Sequence, residues 1–238
     1  MLDLRIVSIG ALAAHPLRGE RQPVRTGHAT TTLILAGDNV IVVDPGLPRA
    51  ALEARLEERA GLVASAVTHV FLTSFKPDTA RGISAFESAK WFLSEAEREA
   101  VGVPLAQAAK RVLAQEAEDG LDDDPLATDD VKETLRTQLA VLQRCEAAPD
   151  KLAPGVDLFP LPGVTPGLCG LLLATGKHAT LVCGDAVPTV EHLEQGKLLP
   201  GAADVELAQE SYAEAIEIAD VLVPGRDNWV INPTKRPF

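Results

Sequence analysis

Short runs of apolar and β-branched residues alternate along this chain with stretches whose apolar positions recur every three or four residues. The first pattern marks strands and the second marks helices. Residues 4–9 read as a strand, and residues 30–36 and 40–44 as a hairpin with Gly37, Asp38 and Asn39 in the turn. Residues 49–60 follow Pro48 and carry Leu52 and Leu56 among Glu and Arg, which predicts a helix. Residues 67–73 predict a buried strand, followed by a short helix near 79–85 and a strand at 88–93. Ser94 with Glu97 three positions on has the form of a capping box that opens another helix.

Residues 95–147 change in character, being rich in Ala, Glu, Gln, Leu and Lys, and predict two or three helices interrupted by an acidic turn at 116–124. Val131, Leu135, Leu139 and Leu142 share one helical face, which suits packing on a sheet or against a partner. Asp122, Asp123 and Asp124 read as a solvated turn, because a calcium loop spreads its ligands over a longer segment. Strand patterns return at 156–159, 170–174 and 179–183, then a helix at 203–219 and a last strand at 221–223. The sum is α/β: an αββα sandwich of two mixed sheets flanked by helices, one domain over residues 1–238 with a helical insertion at about 95–147.

Composition narrows the function classes. The 238 residues are 46% apolar and 24% charged, enough for a sizeable core. A formal net charge of −12 disfavours nucleic acid as a partner. Three cysteines (Cys145, Cys169, Cys183) without close spacing argue against a disulfide framework or zinc knuckle and suit a reducing cytoplasm. The first residues lack the basic and apolar regions of a signal peptide, and no apolar run approaches the roughly 18 residues of a membrane span.

Six segments, in order, carry a resemblance: Thr-Thr-Thr-Leu-Ile at 30–34, Val-Val-Asp-Pro-Gly at 42–46, Val-Phe-Leu-Thr-Ser-Phe-Lys-Pro-Asp-Thr-Ala-Arg-Gly at 70–82, Leu-Pro-Gly-Val-Thr-Pro-Gly at 161–167, Cys-Gly-Asp-Ala at 183–186 and Val-Pro-Gly-Arg-Asp at 223–227. Together they resemble the metallo-β-lactamase superfamily, nearest its lactonase and glyoxalase-II-like branch. That resemblance implies a hydrolase with a zinc pair held by His-x-His-x-Asp-His and by later His, Asp and His ligands. Here the corresponding positions are Ser74, Lys76, Asp78, Thr79, Val164, Asp185 and Arg226. All five histidines are gone, and only the two aspartates match. Lysine and arginine are cationic and offer no lone pair, and valine offers none either. A catalytic zinc needs about three protein ligands plus water.

None of the chain's five histidines is an evident substitute. His69 lies at the far end of the strand leading to Ser74, roughly 17 Å away at about 3.3 Å per residue, and His178, in a turn, lies roughly 23 Å from Asp185 by the same arithmetic. His15 falls in an N-terminal loop, while His28 and His192 could approach the pocket. The expectation is a charge-compensated pocket, with Lys76 and Arg226 balancing Asp78 and Asp185. It implies no metal cofactor and a non-catalytic homologue acting by ligand binding or assembly, with a small anion or a second copy of the chain as partner. The alternative is a metal-dependent ester, lactone or thioester hydrolase with an atypical or single-metal site on Asp78 and Asp185, aided by His192 or His28, holding zinc or another divalent ion. A serine–lysine pair at Ser74 and Lys76 is a weaker option, since no oxyanion hole is evident. Asp44 reads as a residue holding the site loops, Gly163, Gly167 and Gly184 as tight-loop positions, and Trp91 and Trp229 as core or pocket-wall residues.

Overall fold

In a computed structural model, which describes residues 2–117, 129–175 and 178–235, the strands form two six-stranded mixed sheets. The first contains, in spatial order, β1 (Leu2–Ser8), β2 (Thr31–Ala36), β3 (Asn39–Val43), β4 (His69–Leu72), β5 (Lys90–Leu93) and β6 (Glu146–Ala147). The second runs from β12 (Val230–Ile231) through β11 (Val221–Pro224), β10 (His178–Gly184), β9 (Cys169–Thr175) and β8 (Val156–Pro160) to β7 (Lys151–Ala153). Antiparallel hairpins build β1–β2–β3 and β7–β8–β9–β10, whereas β3, β4, β5 and β6 are parallel neighbours and β10 runs parallel to β11. Parallel neighbours need crossovers, which the helices supply.

Side-chain alternation divides the core into three layers. Ile34, Ile41, Val43 and Phe71 of the first sheet meet Leu171, Leu173, Val182 and Val223 of the second between the sheets. Leu33, Val42, Val70 and Leu72 point the other way, beneath α1 (Arg49–Ala60), α2 (Glu95–Ala117) and α3 (Asp129–Arg144). Leu181, Cys183 and Leu222 pack against α4 (Val190–Gln195) and α5 (Val205–Ile218). This is the αββα sandwich that the hydropathy pattern predicts. Leu52 and Leu56 are the buried pair of α1, and Leu135, Leu139 and Leu142 seat α3 on the core.

Several expectations need correction. The short helix expected near 79–85 forms later and tighter, as a 3₁₀ helix at Ile83–Phe86, and Thr79 lies in the loop before it, its Oγ1 2.8 Å from the carbonyl oxygens of both Ser74 and Lys76. His178 opens β10 instead of lying in the preceding turn. The capping box is only half made: Ser94 Oγ accepts from the Glu97 amide, but the Glu97 carboxylate turns elsewhere. The short strands β6, β7 and β12 and the helix α4 had no strong pattern of their own. Residues 122–124 lie outside the described residues.

Candidate functional site

Loops that follow β4, β10 and β11 meet at one edge of the sandwich. Close backbone approach at glycines makes this convergence possible. Gly184 has φ +53°, and a Cβ there would sit 2.6 Å from Thr73 Oγ1. A Cβ on Gly225 would come within 2.6 Å of the Gly184 carbonyl carbon and 2.8 Å of Asp185 Oδ1. Only hydrogen fits in either place.

Arg226 stands at the centre of the convergence. Its Nε donates to Asp185 Oδ1 and its Nη2 to Asp185 Oδ2, both at 2.8 Å, which is a two-pronged pair matched to the planar guanidinium. The same guanidinium donates through Nη1 and Nη2 to the two oxygens of Asp78. Lys76 Nζ completes the set by donating to Asp185 Oδ2 at 2.9 Å. Two cations thus face two carboxylates, as the sequence argument expects. Burial is uneven, however: Asp185 and Arg226 have side chains 3% and 4% exposed, whereas Asp78 and Lys76 are each 30% exposed. Burial alone would raise the Asp185 carboxyl, but Arg226 and then Lys76 outweigh it and hold it far below the usual carboxylate range. Burial likewise opposes the charge of Arg226, and Asp185 and Asp78 overcome it, so the guanidinium stays protonated under all ordinary conditions.

The remaining three candidate positions are not part of this ion-pair set. Ser74 is buried and its Oγ has no hydrogen-bond partner. Thr79 fastens its own loop. Val164 lies in the apolar layer with Leu161 and Leu168. A serine–lysine pair finds no support, since the Lys76 ammonium is engaged by Asp185.

Beneath the site Asp44, at φ +48°, accepts from the amide and hydroxyl of Thr73 at 2.8 and 2.7 Å and so ties the β3 end to the β4 end. Burial pushes its carboxyl up to about 7 against those two hydrogen bonds. Glu97 is the functional-region residue that sequence reasoning took for a mere cap. Its buried carboxylate accepts from the amides of Phe75 and Gly167 and from Thr165 Oγ1, at 2.9, 3.0 and 2.8 Å. One side chain from α2 therefore clasps the loop after β4 to the loop between β8 and β9.

The histidines are placed elsewhere. His192 is buried on α4 beside His15, their ring centroids 5.3 Å apart, and both approach Thr189 Oγ1. Burial, then His15, depresses the pKa of His192. His28 contacts the carbonyls of Ile9 and Thr26. Among the described residues, no group of three or more His, Cys, Asp or Glu side chains is arranged to hold a metal ion. Nor is any described helix long and apolar enough to cross a membrane.

Comparison with known proteins places this architecture. No curated protein sequence matches the chain. Among solved structures, a protein of Thermotoga maritima described as a candidate metallo-beta-lactamase matches over 97% of this chain and 99% of its own, at 17% identity and a TM-score of 0.64. An AiiA variant of B. thuringiensis with N-decanoyl-L-homoserine at its active site matches over 95% and 92%, at 17% identity and a TM-score of 0.61. AidC, a dizinc quorum-quenching lactonase in complex with a product, matches over 88% and 80%, at 16% identity and a TM-score of 0.60. At such identities the likeness is one of fold. The sequence model of the metallo-beta-lactamase superfamily matches residues 24–231, most of the chain, and the chain belongs to that superfamily.

Proposed function

We propose that this chain is a catalytically silent member of its superfamily, in which Lys76 and Arg226 take the place that a metal pair holds in the family pattern, and that it acts by binding or assembly. The observation that carries this reading is the guanidinium of Arg226 shared between Asp78 and Asp185. Both carboxylates that match the family pattern are satisfied by cations of the chain itself. The residues present do not fit a zinc ion, which would have to displace a buried arginine and would then find two oxygen donors and no imidazole. Without such an ion the site lacks the group that lowers the pKa of a bound water to near neutrality in the family pattern.

The lactonase neighbours favour a second reading, a hydrolase with a single metal on Asp78 and Asp185. It needs Arg226 to swing away, leaving its charge buried. A small anion as ligand is also constrained, because Arg226 is spent on the two aspartates and an incoming anion meets Lys76 first. A reducing compartment such as the cytoplasm suits the three free, buried thiols.

Elemental analysis of protein purified without chelators tests the proposal, paired with turnover of aryl esters, lactones and thioesters in the presence of zinc or manganese. The expected result is far less than one metal per chain and no turnover above a Lys76→Met, Arg226→Met control. About one transition metal per chain, with activity lost in Asp185→Asn, would overturn it.

A further inference from the structure

A sizeable cleft lies away from the ion-paired site, along the free edge of the first sheet. It has a volume of about 820 Å³, and every residue of β1 from Leu4 to Ser8, with Ile9 beyond it, lines it. Among the described residues β1 pairs only with β2, so on its other side every second residue presents backbone amide and carbonyl groups without a strand partner there. The opposite wall comes from the second sheet and the segment beyond β11, including Val221 and Trp229.

The two faces of β1 give the cleft two different characters. Leu4 and Ile6 point between the sheets, toward the apolar layer. Ile9 and Trp229, each about half exposed, also line the cleft. Val7 packs in the layer beneath α1, and alternation puts Arg5 on the same face. On that face Arg55 and Arg59 of α1 join Arg5 in lining the cleft. All three charged residues of the lining are arginines, in a chain whose net charge is −12. Their acidic partners are Asp3 for Arg5 and Glu58 for the two helix residues, through pairs that are each about half exposed. Such pairs contribute little and exchange readily for a better-placed carboxylate.

We propose that this edge is a docking site for an extended, acidic peptide segment of another protein, added as a seventh strand beside β1. Backbone hydrogen bonds to the strand edge supply affinity, and side chains alternating along the peptide supply specificity. One set, apolar, faces Leu4, Ile6 and Trp229; the other, Asp or Glu, faces Arg5, Arg55 and Arg59. A second copy of this chain fits less well. Joining β1 to β1 opposes Arg5 to another basic edge, and like charges facing each other across a strand pair are destabilising. The inference is independent of whether the metal-site positions are silent.

The test uses the full chain and capped hexapeptides. One has Val and Glu in alternation, a second has Lys for every Glu, and a third has Pro at alternate positions. Trp229 fluorescence reports binding, since Trp91 is buried under the Arg144 guanidinium, and amide hydrogen exchange over residues 2–9 reports strand addition. The acidic peptide should bind, protect those amides and lose at least tenfold in affinity to the Arg55→Glu, Arg59→Glu double variant, whose changes are on the surface. The lysine and proline peptides should fail. Equal binding of the lysine or proline peptide, no protection of residues 2–9, or a homodimer that occludes this edge would each overturn the proposal.

Discussion

Arg226 decides the character of the ion-paired centre. Removing one member of a buried charge set leaves its partner desolvated and unpaired, which costs far more than the net worth of the pair. Arg226→Met leaves Asp185 buried with only Lys76 against it, so a loss of about 3–5 kcal/mol in denaturant unfolding is expected. Lys76→Met removes one hydrogen bond to the same carboxylate from a side chain that reaches solvent, and about 1–2 kcal/mol is expected. The reverse order, with Lys76 dominant, would show that Arg226 does not centre the network. The positions of all four charged residues were legible in the sequence through the resemblance of their segments to the family pattern, which periodicity alone would not have supplied. That one guanidinium serves both aspartates was not legible, since it depends on the meeting of loops after β4, β10 and β11 that lie far apart in the chain.

Elements were read best where one period dominates. The β2–β3 hairpin, α1 and α5 emerge within a residue or two of the expected bounds, because the hairpin strands are continuous apolar runs buried on both faces, each helix buries one face, and Gly, Pro or Asp stands at the ends. The short strands β6, β7 and β12 owe their existence to a neighbouring strand, and sequence periodicity has nothing to register over two or three residues. Glu97 shows the same limit at a helix start. Ser-x-x-Glu correctly marks where α2 begins, yet the Glu carboxylate is drawn off by the amides of Phe75 and Gly167 and by Thr165. Its three acceptor bonds join two loops across the site, so Glu97→Ala strands three donors, two of them backbone amides. A loss of about 2–4 kcal/mol is expected, with faster hydrogen exchange at Phe75 and Gly167; a helix cap alone would cost about 1 kcal/mol and leave those amides protected.

For the whole molecule, the charge balance sets a pH dependence in which opposing groups can be separated. Asp44 is raised from 3.8 to about 7 in the folded chain. Its contribution is therefore fully present below about pH 4 and is lost as pH rises through about 7. The net charge of −12 acts in the same sense, because self-repulsion relaxes as pH falls toward the sequence pI of about 4.9. His192 opposes both: its folded pKa is depressed, so its contribution is present above about pH 6.5 and is lost as pH falls through the lower folded value. Asp185 is also depressed, so its ion pairs persist until the medium is well below the ordinary carboxylate range. Melting temperature should therefore rise as pH falls from 8 to about 6 and flatten below that, where the His192 loss offsets the Asp44 gain. Asp44→Asn keeps an acceptor for the Thr73 amide and should remove the part of the rise that sets in near pH 7 and continues as pH falls, while His192→Gln should extend the rise toward pH 5. Melting curves of the three proteins from pH 4 to 8 check this, and added salt separates the two causes of the rise, since it screens net-charge repulsion at the surface and leaves the contribution of the buried Asp44 in place. An unchanged pH profile in Asp44→Asn would mean that this carboxyl is ionised throughout, with the Thr73 hydrogen bonds outweighing its burial.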